Sequence, residues 1–222
     1  MKIKLQKFIA DSGYCSRRKA EKLIEQKKVK VNRKLATIGM RVDRKDTVVI
    51  EGKVILPKKE SIYIKLNKPR GYTCTHQKVT GEKNIFSLIN IEERLFVVGR
   101  LDKKSRGLVL LTNDGDFAHK LTHPSFSHEK EYQVKLSKEV NEEIKEKLKK
   151  GVDIKEKTPA KIKEIERTGP KEYKVILTEG KKRQIRRMFE VFSCTVLDLK
   201  RVRIDKYKLG NLKEKNWTFI TK

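Results

Sequence analysis

Leu108-Val109-Leu110-Leu111 is the stretch that most narrows what this chain can fold into. Four apolar residues stand in a row in a chain of which 38% is charged. A strand with one wet face alternates apolar and polar side chains. An unbroken apolar run bounded by turn residues therefore points to a strand covered on both faces. Gly107 precedes the run, and Asn113-Asp114-Gly115 follows it as a turn signal with a structural role. Such a strand is central, so it needs partner strands on either side and further layers above and below.

The partners are legible from Ile62 onward. "IYIKLNKP", "LFVVGRL", "EYQVKL", "AKIKEIER", "EYKVILTE", "VLDLKRVRI" and "NWTFI" read as strands. In Tyr132-Gln133-Val134-Lys135-Leu136 the apolar residues fall on one face and the polar ones on the other, the period-2 pattern of a half-solvated strand. Helices are predicted near Asp116–Leu121, Asn141–Lys149 and Arg183–Phe192. Many strands with few helices predict an α+β fold: a mixed, mainly antiparallel sheet with peripheral helices.

A different unit precedes it. Leu5, Phe8 and Ile9 form one apolar helix face, and Asp11-Ser12-Gly13 ends that helix. Ser16 is placed to cap a second helix with buried Ala20, Leu23 and Ile24. Val29–Asn32 and Thr47–Ile50 read as short strands. The apolar pattern lapses around Pro57-Lys58-Lys59-Glu60. The expected organisation is a small α+β module at 1–56, a linker at 57–61 and a larger domain at 62–222.

Charge bears on the partner. Lys and Arg number 56 against 29 Asp and Glu, a net charge of +27. That excess favours a polyanion, nucleic acid first, because neutralised phosphates release counterions. A merely lysine-rich surface is the alternative, but clustered arginines fit it less well. Arg17, Arg18 and Lys22 lie off the buried stripe of their helix, and arginines near a helix start are poor partners for its dipole. The three cysteines are far apart, which excludes a disulfide framework. No apolar run approaches the ~18 residues of a membrane span. A soluble, cytoplasmic monomer is expected.

Three constellations can carry chemistry. The first is "GRLDKKSRGLVLLTNDGD", in which Asp102 is the one acid among Arg100, Lys103, Lys104 and Arg106. Gly99 and Gly107 permit unusual backbone angles or close approach, and the loop precedes a rigid strand, where functional groups are often mounted. The second is "EGKKRQIRRMF". Ile185, Met188, Phe189 and Phe192 form its buried stripe, leaving Arg183, Arg186 and Arg187 for an anion or for internal pairs such as Arg186 with Glu190. The third is Tyr132, a core tyrosine by its alternation or an aromatic on which a base can stack. Metal binding has little support. His119 and His123 lack an H-E-x-x-H context, and Cys74 and His76 lack further ligands. Phosphate-loop and dinucleotide glycine motifs are absent.

At these residues the chain resembles the RsuA/RluB/RluF-type pseudouridine synthases. "GRLDKKSRGLVLLTNDGD" is similar to the catalytic motif of that branch, and "EKEYQV" and "EGKKRQIRRMFE" are similar to its two further motifs in the expected order. "LQKFIADSGYCSRRKAEKLIEQKKVKVN" resembles a small RNA-binding module shared with a ribosomal small-subunit protein. The resemblance implies isomerisation of uridine to pseudouridine in ribosomal RNA, without metal, cofactor or external energy source. It implies Asp102 as the catalytic aspartate, Tyr132 as the active-site tyrosine and Arg186 as the basic partner of Asp102. The expected RNA contacts are Arg17, Arg18, Lys22, Lys30, Asn32, Arg100, Arg183, Gln184 and Arg187. Large-subunit RNA is the expected target and small-subunit RNA the alternative. A noncatalytic RNA-binding ribosome-assembly factor is the alternative of another class.

Overall fold

The computed structural model describes residues 2–56, 60–76 and 80–222. The core of the expected linker, residues 57–59, lies outside the described residues. The chain divides into two compact units. One comprises Met1–Ile62 with Ile91–Phe96 and Thr112–Gly115, and the other Tyr63–Asn90, Val97–Leu111 and Asp116–Lys222.

The first unit holds β1 (Ile3–Lys4), α1 (Leu5–Asp11), α2 (Arg17–Glu25), β2 (Val29–Val31), β3 (Lys34–Leu35), β4 (Arg41–Val42), β5 (Val48–Ile50) and β6 (Lys53–Ile55). Leu5, Phe8 and Ile9 of α1 pack in one core with Ala20, Leu23 and Ile24 of α2 and with Val29, Val31, Val48 and Ile50 of the strands. Ser16 Oγ accepts the Lys19 amide at 3.2 Å, the cap that its position predicts. The strands run β3-β2-β5-β6, every neighbour antiparallel. Asn32 and Arg33 close the β2–β3 hairpin with φ of 48° and 69°, the left-handed pair that two-residue hairpins demand. The Asn32 amide ties the end of β2 to the residues just before β5: it donates to Asp46 Oδ1 at 2.7 Å and accepts from the Thr47 amide at 2.9 Å. The expected RNA contact at Asn32 thus meets a side chain already engaged, whereas Arg17, Arg18, Lys22 and Lys30 do not fill the core.

The remaining elements are β7 (Tyr63–Lys68), β8 (Tyr72–Thr73), β9 (Lys83–Asn84), β10 (Phe96–Val98), β11 (Arg106–Thr112), α3 (Gly115–Thr122), β12 (Lys130–Leu136), α4 (Glu142–Lys150), β13 (Glu164–Gly169), β14 (Glu172–Leu177), α5 (Gln184–Glu190), β15 (Val196–Ile204), β16 (Tyr207–Lys208) and β17 (Trp217–Phe219). The large sheet is ordered β13-β14-β12-β15-β11-β7-β17, with β10 beside β11 and β16 beside β15. β12 is antiparallel to β14 and β15, β13 to β14, and β17 to β7, while β11 and β15 run parallel. This is the mixed, mainly antiparallel α+β architecture. Leu108, Val109, Leu110 and Leu111 have no exposed surface, so β11 is the doubly covered strand its composition requires. Leu108 and Leu110 pack with Phe117 and Leu121 of α3 and with Ile204, Tyr207 and Leu209. Each such aliphatic burial contributes about 1.5–3 kcal/mol.

Two of the boundaries that differ from expectation have a local cause. β13 starts at Glu164 instead of Ala160, because Ala160 bridges Val152 and the Ile162 amide donates to Leu148 O. α5 starts after Arg183, whose left-handed φ of 52° excludes it from the helix.

Gly107 is a tight point in this sheet. Its φ is +102°, and a Cβ there would sit 2.8 Å from the Arg201 nitrogen and closer still to the Arg201 carbonyl oxygen. Gly107→Ala is expected to cost about 3 kcal/mol or more through strain and backbone clash together. The urea midpoint measures it; a loss below about 1 kcal/mol would show that β11 and β15 separate easily.

Candidate active site

The loop 99–105 connects β10 to β11 and carries Asp102, which is half-exposed. Two buried cations hold this loop. Lys68, the last residue of β7, has no exposed surface. Its Nζ donates to the carbonyls of Ser105 at 2.6 Å, Pro69 at 3.0 Å and Asp102 at 3.2 Å. An ammonium removed from water is tolerated only where such acceptors replace its hydration. Burial still drives Lys68 down to about 8, with the charges of Cys74 and Asp102 opposing.

Arg201 is the second cation, 2% exposed. Its Nε donates to Leu108 O at 2.8 Å and its Nη2 to Gly99 O at 2.5 Å. Register explains its place. Gly107 of β11 pairs with Arg201 of β15, and Arg201 pairs with Tyr132 of β12, so the three form one row across the sheet. Gly99 turns with φ +71° to bring its carbonyl to this guanidinium. Loop closure is completed by the Gly71 amide on Lys103 O at 2.8 Å and the Ser105 amide on Asp102 O at 3.0 Å.

Asp102 opens into a cleft of about 610 Å³ whose walls include Arg100, Lys130, Tyr132, Arg183 and Arg201. Tyr132 is only 7% exposed, as its alternation predicts, and it also lines the cleft. The two readings of this tyrosine therefore describe a single position. Arg100 and Arg183 are exposed along the cleft. Burial, and next the charge of Arg201, lower the pKa of Lys130.

Arg186 reaches the Asp102 loop through its backbone. Its Nη1 donates to Val196 O at 2.7 Å, and its Nη2 approaches Lys104 O at 3.3 Å and Ser105 Oγ at 3.5 Å. Burial and the Arg183 charge push the Arg186 guanidinium down, while the Asp102 carboxylate pushes it up. Arg186 itself lines a separate notch of about 210 Å³ with Arg183, Glu190, Ser193 and Thr195. Gln184 is buried in the cleft wall and its amide is engaged: it donates to Glu179 Oε1 at 2.7 Å and accepts the Lys181 amide at 3.0 Å. Arg187 pairs with Glu156 at 2.7 Å. These two expected RNA contacts thus fasten the 179–182 turn and the 156 loop to α5.

Asp198 clamps the outer end of β11. Arg106 contacts it through Nε at 3.1 Å and Nη2 at 2.6 Å, and Arg70 through Nη2 at 2.5 Å. Burial raises the Asp198 carboxyl, but the two arginines outweigh it and hold it at about 2. Nothing in the sequence singles out Lys68, Arg201 or Asp198. A lone charged residue within a strand reads as its wet face until the pairing register is known. Among the described residues no three His, Cys, Asp or Glu side chains converge as a metal site, and no helix is long and apolar enough to cross a membrane.

Residues 62–191 match the family model described as RNA pseudouridylate synthase, and residues 3–48 match the S4 domain. The chain is 41% identical to the Bacillus subtilis (strain 168) protein named ribosomal large subunit pseudouridine synthase B, over 95% of this chain and 87% of that one. It is 39% identical to the dual-specificity RNA pseudouridine synthase RluF of Escherichia coli (strain K12), over 99% and 76% respectively. A solved structure titled as a pseudouridylate synthase superposes with a TM-score of 0.72 at 30% identity, covering 99% of this chain and 96% of that one.

The Lys68 assignment is testable through pH. A lysine whose folded pKa lies below its unfolded value is charged at a cost at lower pH, and that cost is relieved as pH rises from about 8 to 10.5. Wild-type stability relative to Lys68→Met is expected to rise across that window in urea titrations. Parallel pH curves would show that Lys68 does not titrate there.

Proposed function

The chain belongs to the RNA pseudouridylate synthase family and is an RNA pseudouridine synthase carrying an S4 domain, and from that premise we propose that it isomerises specific uridines of large-subunit ribosomal RNA. Family membership sets aside the noncatalytic assembly-factor alternative. The ribosomal target, and the large subunit within it, are supported by the name of the Bacillus subtilis relative, while the Escherichia coli relative is named for RNA without specifying which. The net charge of +27 supports a polyanionic substrate.

The observation that carries the assignment of the site is Asp102. A single carboxylate sits in a loop whose backbone is held on the buried cations Lys68 and Arg201, and its side chain is left to the cleft. Isomerisation breaks the C1′–N1 bond, turns the base while it stays bound and forms C1′–C5; the C5 proton leaves and N1 takes one up. Asp102 serves as the nucleophile at the sugar or base, or as the base in a route through a sugar-derived intermediate. Either role needs the carboxylate in van der Waals reach of the uridine, which enters the cleft only after extrusion from its stack. Tyr132 in the cleft wall offers its ring to that base. Arg186 acts as a positioning residue through the Lys104 carbonyl and Ser105, steadying the Asp102 loop.

RNA phosphates are met by Arg100 and Arg183 at the cleft and by Arg17, Arg18, Lys22 and Lys30 in the module at residues 1–56. The catalytic domain is taken as residues 62–222, although Ile62, Ile91–Phe96 and Thr112–Gly115 group with the first compact unit.

Asp102→Asn is expected to bind ribosomal RNA nearly as tightly as the wild type and to form no pseudouridine, mapped at nucleotide resolution. Turnover by that variant would remove Asp102 from the centre of the reaction. Replacing Arg17 and Arg18 together by Ala is expected to weaken RNA binding. The slope of log K against log salt should flatten by about 0.9 for each phosphate that is no longer neutralised. An unchanged slope would take α2 off the RNA.

A further inference from the structure

Three of the four histidines of this chain gather around one exposed phenylalanine at the edge of the cleft. His119 and His123 occupy i and i+4 at the end of α3, and their ring centroids are 4.8 Å apart at 36°. The 3₁₀ turn Pro124–Phe126 then brings Phe126 back against them, edge-on at 6.4 Å from His119 and 6.3 Å from His123. His128 lies nearly parallel to the Phe126 ring at 6.0 Å and 26°.

The turn is pinned by the Phe126 amide on His123 O at 3.2 Å and by the Ser125 amide on His123 Nδ1 at 3.3 Å. His128 is oriented by Asp205, 3.5 Å from its Nδ1, and its Nε2 is buried with no partner among the described residues. The rings are therefore set before any ligand arrives.

We propose that this wall is a stacking platform for an unpaired nucleobase of the substrate RNA, next to the extruded uridine. The proposal rests on the reading of the cleft as the uridine site. Phe126 is 48% exposed, so it is not there to fill the core. His123 and His128, which precede and follow it along the chain, line the same cleft as Asp102, together with Leu121 and Thr122. The rest of that cleft is rich in cations, which meet phosphate and fix register without reading or covering a base. Extruding one nucleotide leaves a neighbour unstacked, and an aromatic ring offers that neighbour a surface regardless of its identity. A metal site is the other use for clustered histidines, but no ligand set converges here among the described residues.

Trp217 is the sole tryptophan of the chain, so a Phe126→Trp, Trp217→Phe protein reports on position 126 alone. Its emission is expected to be quenched by an unmodified large-subunit ribosomal RNA transcript and not by a fully paired RNA duplex. Phe126→Ala is expected to weaken binding of the transcript about tenfold, with Phe126→Tyr restoring it and neither variant changing the melting temperature. Unquenched emission, equal quenching by the duplex, or unchanged binding by Phe126→Ala would overturn the platform. Pseudouridine formation by the wild type on the same transcript separates the two readings. Its absence would overturn the uridine site itself, whereas pseudouridine with an unquenched indole would overturn the platform alone.

Discussion

The site depends on burying the Lys68 ammonium inside the loop that carries Asp102. A lysine with no access to water is unstable unless oxygen dipoles replace its hydration shell, and here the carbonyls of Pro69, Asp102 and Ser105 do so. The requirement works in both directions: the loop satisfies the lysine, and the lysine dictates where those carbonyls point. With its backbone oxygen turned inward to Lys68, Asp102 has its carboxylate left for the cleft. A loop held only by surface contacts would leave that group free to wander, and an acid misplaced by an ångström loses much of its use in catalysis.

Arg201 extends the same logic across the sheet. It stands between Gly107 and Tyr132 in one row, and its guanidinium holds Gly99 at the opposite end of the loop from Ser105. Gly107 has to lack a side chain because the Arg201 backbone passes where a Cβ would be. Tyr132 is next to a buried cation for the same reason of register. Three features that look unrelated along the chain, a glycine, an arginine and a tyrosine, are thus one physical arrangement.

Much of the frame is legible in the sequence because it is local. The Ser16 cap, the α1 and α2 stripes, the alternation of β12 and the apolar run of β11 each follow from residues a few positions apart. Asp102 is legible too, as the lone acid in a basic, glycine-bounded loop. Lys68 and Arg201 are not, since each sits in a strand where a charge reads as solvent-facing. Only partners 34 to 102 residues away show otherwise. Gln184 and Asn32 both sit among basic residues, and their hydrogen bonds inside their own units, also invisible in the sequence, occupy their amides. Arg186, expected as the partner of Asp102, grips the carbonyls of Val196 and Lys104 and the Ser105 hydroxyl, with no direct ion pair to Asp102 among the described residues.

On the proposed function, this cleft exchanges the glycosidic nitrogen of a uridine for its C5 carbon. That exchange expels the hydrogen on C5. Incubating the protein with a large-subunit ribosomal RNA transcript made from uridine tritiated at C5 should release tritium to water, in an amount equal to the pseudouridine recovered from the digested RNA. No release, or release without matching pseudouridine, would contradict it.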